Sequence, residues 1–213
     1  MFERRNLTFW DIGNYLTIGF FFFSLFILYL ILFFGIDITY LFSLTKDFSN
    51  LLIILLPIMF LAIGMIIDPL ANFSVKSSEK IYFLRPKDNK YSKNLQFNCK
   101  KFIDKQNFDE GFSLFLYCKA VVELNIQDTK YDIYLARFGF YRNLCFLIFC
   151  LFFFNFIILN SSFINMLLNC ILLPISWFFL KRAQIFKIHM ENYIYYSYLA
   201  LMTSSKDIRL NLC

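Results

Sequence analysis

The sequence predicts an all-α membrane protein with four transmembrane helices and a small, mainly helical cytoplasmic region. Three observations predict this class. The first is composition. The 213 residues are 59% hydrophobic, 22% aromatic and only 17% charged, with 31 Phe. Soluble chains carry about 45–50% apolar and about 25% charged residues, and a globule of this length cannot hide the excess apolar surface. A disordered chain would show the reverse, low hydrophobicity with high charge.

The second observation is the distribution of charge. Residues 12–36, 48–67 and 143–180 contain no Asp, Glu, Lys or Arg. A charge at the bilayer centre costs about 2.5–3.5 kcal/mol on insertion scales, so such windows mark spans. The third observation is that 20 of the 21 basic residues fall in three segments that four spans place on one face. The positive-inside rule then puts both termini and the central segment in the cytoplasm.

Residues 1–70 form a first two-span hairpin, with spans at about 15–36 and 48–67. The first apolar run is too long for a signal h-region and no small-residue cleavage site follows, so it is read as a retained helix. Asp68-Pro69 ends the second run, a natural stop. The central segment, 71–142, begins polar and turn-rich. Within it, residues 80–85 (Lys-Ile-Tyr-Phe-Leu-Arg) have the pattern of a short strand. Asp109-Glu110 suits a helix start, and the run from Phe112 to Leu124 reads as that helix. A further helix from Tyr131 carries no Pro and runs straight into the third span.

The last charge-free window is 38 residues long, too much for one span of about 20 and enough for two. Asn160-Ser161-Ser162 divides it into spans at about 143–159 and 163–180. Residues 181–213 form a cytoplasmic stalk and tail. From Ala183 to Met202 there is neither Gly nor Pro, so the helix is expected to continue out of the bilayer. Its Tyr and Leu positions would expose an apolar patch, which marks a contact surface, either with the central segment or with another subunit.

Candidate chemistry is sparse. The six cysteines are Cys99, Cys118, Cys145, Cys150, Cys170 and Cys213, with no CxxC pair, so no metal site is expected. Neither a Gly-rich phosphate loop nor an HExxH or GxSxG motif occurs, and no cofactor is expected. Asp104, Asp109, Glu110 and Glu123 read as solvated or helix-start residues. The single histidine, His189, stands seven residues after Arg182 on one helix face. This pair resembles the short Arg-x4–6-His motif of the HEPN ribonucleases, which implies attack on RNA by Arg182 and His189. Ala183 departs from that family's usual polar residue after the Arg. The other reading makes Arg142, Lys181 and Arg182 membrane-interface anchors on anionic head groups, and nucleic acid is not an expected partner.

Within the spans the informative residues are neutral. Asn165, Asn169 and Ser176 lie within about 40° of one another on an ideal helix. This stripe on the fourth span faces Asn155 on the third if the two helices pack. Such amides either bond helix to helix or line a water-filled path in an oligomer. The absence of charge inside the windows argues against a proton-coupled pump.

The run from Ala136 to Leu144 (Ala-Arg-Phe-Gly-Phe-Tyr-Arg-Asn-Leu), the hairpin after it, Phe179-Leu-Lys-Arg182, Tyr193 and Ser197-Tyr-Leu-Ala200 resemble small four-span membrane accessory proteins. These stand beside bacterial antiviral systems of the CRISPR type. The resemblance implies an oligomeric, non-enzymatic membrane effector or channel-like accessory that acts with a cytoplasmic protein partner. A membrane anchor or scaffold recruiting a soluble partner is the alternative, and a membrane-tethered ribonuclease a third.

Overall fold

A computed structural model describes residues 9–35, 37, 39, 43, 49–78, 90–103, 111–125, 130–158 and 163–210. Every element among them is helical: α1 (Phe9–Phe34), α2 (Ser49–Ser78), α3 (Lys90–Phe102), α4 (Gly111–Asn125), α5 (Lys130–Ile158) and α6 (Phe163–Leu210). Four of these are long and apolar enough to cross a membrane, over Phe9–Ile31, Leu51–Val75, Lys130–Phe156 and Met166–Ser204. The strand-like residues 80–85 and the divider at 160–162 lie outside the described residues.

The two boundaries of α1 have local causes. α1 begins ahead of the charge-free window, with Asp11 in its first turn complementing the helix dipole. It stops at Phe34 because Gly35 takes the left-handed conformation, φ 62°, which only a residue without Cβ adopts at little cost. α2 departs from the sequence reading. It does not stop at Asp68-Pro69 but runs through both to Ser78, with Pro57 and Pro69 inside it. A proline removes one backbone donor, and the Asp68 carboxylate is taken up by partners on α5, so neither residue terminates the helix. α5 and α6 each continue unbroken beyond their apolar stretches, as expected from the absence of Pro in α5 and of both Gly and Pro from Ala183 to Met202 in α6. At 48 residues, α6 has more than twice the length one span needs.

The chain divides into two compact units, residues 1–85 with 139–183 and residues 86–138 with 184–213. In the first unit, α1 and α2 approach closely enough for backbone contact. A Cβ added at Gly19 would fall on the Phe60 carbonyl, and one at Gly64 on the Tyr15 carbonyl. Small residues allow this proximity between spanning helices. Ile18, Ile67 and Leu147 form a buried cluster there, and Val75, Cys145 and Leu180 another. Much of the remaining apolar surface faces outward, with Ile53, Ile54, Phe156 and Met166 all exposed. Water would penalise such a surface and lipid would not.

The second unit has its own core, in which α3, α4, the start of α5 and the later part of α6 meet. Leu95 and Cys99 come from α3, and Leu114, Cys118 and Val122 from α4. The four-residue spacings put each set on one helix face. Tyr131 of α5 and Met190, Ile194, Tyr195 and Tyr198 of α6 complete the cluster. The apolar face of the stalk therefore packs on the central segment. The helix at Lys90–Phe102 has no counterpart in the sequence reading, because seven Lys, Asn and Gln positions mask its short apolar face.

Candidate functional site

A polar constellation lies in the first unit, where α2 meets α5. Arg142 forms an ion pair with Asp68 through Nη2, and its Nη1 donates to Asn72 Oδ1 at 3.3 Å. Asn143 Nδ2 donates to the same Asp68 oxygen at 3.0 Å. Arg142 is buried and Asn143 fully so, while the Asp68 side chain keeps 27% of its surface. Burying a guanidinium is costly unless charge and hydrogen bonds compensate it, and here one carboxylate and two amides do so. The sequence reading assigns Arg142 to head groups, whereas its described contacts are to the protein. Its partners on α2 lie 70 and 74 residues away, and no local pattern announces them.

The polar stripe of the fourth span joins the third. Asn155 Nδ2 donates to Asn169 Oδ1 at 2.7 Å. Two turns further along the same face, Ser176 Oγ donates to the Cys145 carbonyl at 3.2 Å and lies 3.5 Å from Cys145 Sγ. Asn155 and Ser176 are buried, and Asn169 is half-buried. The structure thus brings together Asn155, Asn169 and Ser176 with α5, and each contact is a helix–helix hydrogen bond. Asn165 falls in α6, but its side chain lies outside the described residues. Interhelical amide bonds of this kind contribute about 0.6–2 kcal/mol. Asn155→Leu is therefore expected to lower stability in detergent by about 1 kcal/mol, read as the midpoint of a denaturant titration. An unchanged midpoint would assign the pair no role in packing.

Arg182 and His189 have different surroundings. Arg182 is exposed at the end of the first unit, next to Lys181, whose Nζ lies 6.0 Å from the Trp177 ring centroid. His189 belongs to the second unit, where its ring stacks on Tyr134 at 6.0 Å and meets the edge of Phe186 at 6.4 Å. In the same unit Arg137 lies over the Phe186 ring at 5.6 Å. The histidine is thus exposed, with its ring against two aromatic side chains.

The second unit also contains a buried thiol pair. Cys99 and Cys118 are both fully buried, and Cys99 Sγ donates to the Tyr195 carbonyl at 3.6 Å. The hydrogen bond between the two thiols, and then burial, push the Cys118 thiol well above its ordinary range, so it stays protonated and packs as a small apolar group. Lys119 is buried beside it in sequence, paired with Glu123 at 3.4 Å and held over the Tyr131 ring at 5.4 Å. Among the described residues no three His, Cys, Asp or Glu side chains converge as metal ligands do. Comparison with family models, with curated proteins and with solved structures finds no match.

Proposed function

We propose that this chain is a non-enzymatic integral membrane accessory or effector, with both termini in the cytoplasm, that acts through a cytoplasmic protein partner. One observation carries the reading. The second unit, assigned to the cytoplasmic side by its charge, leaves Tyr91, Phe97, Leu116 and Leu124 exposed around a core that is already filled. Exposed large apolar side chains on a unit outside the spans mark a docking surface. The resemblance to accessory proteins of bacterial antiviral systems points the same way, to an oligomer in the inner membrane.

A conducting oligomer is the second reading, favoured by the half-buried position of Asn169 on the same stripe as Asn165. Against it, Asn155, Asn169 and Ser176 spend hydrogen bonds on helix packing, which supports the accessory reading. The two separate experimentally. In the accessory reading, Phe97→Ser with Leu124→Ser abolishes the cellular activity while membrane extraction is unchanged. In the conducting reading, Asn165→Leu with Asn169→Leu abolishes ion flux in liposomes. Loss of activity in His189→Ala, with membrane insertion and assembly intact, would overturn both in favour of RNA cleavage.

A further inference from the structure

A cavity of about 580 Å³ opens in the first unit among α2, α5 and α6. Val75, Phe146, Leu173, Trp177 and Leu180 wall it, and Ser74, Cys145 and Ser176 provide its few polar atoms. The Ser176 hydroxyl is already bonded to the Cys145 carbonyl, so water inside would find few partners. The size is that of a ligand site.

Two observations identify the occupant. First, all three helices reach the cavity at the same end of their spans. Ser74 and Val75 lie late in α2, Cys145 and Phe146 follow directly on Arg142 and Asn143, and Trp177 to Leu180 close the apolar part of α6. This is the end at which the basic residues gather. Second, a cation stands at the rim. The half-buried Lys181 has its Nζ 6.0 Å from the ring of Trp177, a wall of the cavity. A smaller cavity of about 300 Å³, lined by Phe22, Tyr29, Leu147 and Phe154 among others, has no Lys or Arg within one helical turn of its lining residues in sequence.

We infer that the larger cavity holds one anionic phospholipid, with an acyl chain among α2, α5 and α6 and the phosphate on Lys181. Basic pockets between spanning helices on the cytoplasmic side suit such head groups, and the dry interior suits the chain. The inference rests on the membrane reading given above. A bound lipid would bridge the late part of α2 to the point where α6 leaves its apolar stretch.

The protein offers its own probe. Trp10 and Trp177 are the two tryptophans, so Trp10→Phe leaves Trp177 as the single emitter. The full-length variant is reconstituted in phosphatidylcholine vesicles holding a small fraction of brominated-chain phosphatidylglycerol, or the same fraction of brominated phosphatidylcholine. The anionic lipid is expected to quench Trp177 at about tenfold lower mole fraction than the zwitterionic one. Lys181→Gln should cancel that preference, whereas Arg182→Gln, on the opposite face of α6, should leave it unchanged. Ser74→Phe, which fills the cavity, should weaken quenching by the anionic lipid with Lys181 in place. Equal quenching by the two lipids in the Trp10→Phe protein would overturn the inference. So would displacement by excess inorganic phosphate, which would show that Lys181 holds a phosphate without its chain. A chain that does not float with vesicles at all would overturn the membrane reading instead.

Discussion

Gly19→Val is expected to destabilise the protein by about 3 kcal/mol or more, the upper range for forcing atoms into a packed interface. The new side chain has no free rotamer to escape into, because the group it meets is the Phe60 backbone carbonyl and not a flexible side chain. α1 and α2 would have to separate, which would open the cluster around Ile18, Ile67 and Leu147. Gly64→Val should act in the same way against Tyr15. Gly13 provides the control. Nothing lies within 4 Å of a Cβ built there, so Gly13→Ala should be neutral or stabilising by about 0.5–1 kcal/mol through helix propensity. Denaturant titration of the three variants in detergent measures the contrast. Equal midpoints for Gly13→Ala and Gly19→Val would refute the close helix approach.

The second large effect concerns the Asp68–Arg142 pair. Asp68→Leu should cost about 3–5 kcal/mol, because removing one member of a buried pair leaves an uncompensated charge. It also deprives the fully buried Asn143 of its acceptor. Arg142→Met should cost less, since the remaining carboxylate keeps its bond from Asn143 and 27% of its surface. The double variant Asp68→Leu with Arg142→Met should recover a large part of the loss, as apolar replacements of whole buried pairs do. A double-mutant cycle by thermal unfolding supplies the coupling energy. Strict additivity of the two substitutions would show that they do not interact.

These two sites illustrate what a linear reading misses. Arg142 follows the amphipathic start of α5 and precedes an apolar run, which is where interface anchors stand. Its burial depends on Asp68, which itself looks like the end of a span. The two misreadings share one cause, because each charge is tolerable near an apolar helix once the other neutralises it. Likewise Gly19 in a Phe-rich helix signals a gap in the side-chain surface without saying which backbone fills it. Asn155 and Asn169 were more legible. An amide among apolar residues requires a partner, and Asn169 falls on the same stripe as Ser176, so the matching helix could be named from periodicity alone.

Length and hydropathy by themselves determined the all-helical class, the four apolar helices and the continuity of α5 and α6 past their apolar stretches. These depend on local properties, on the solvation of each side chain and on the absence of helix-breaking residues along a run. Tertiary structure alone decided that α2 continues through Asp68 and Pro69, that Gly19 and Gly64 admit a neighbouring backbone, and that Arg142 is turned into the protein. It also decided that a cavity with a cation at its rim lies where three helices end their apolar runs. Each of these depends on residues tens of positions apart meeting in space, and the free energy of such a meeting is not written in either segment separately.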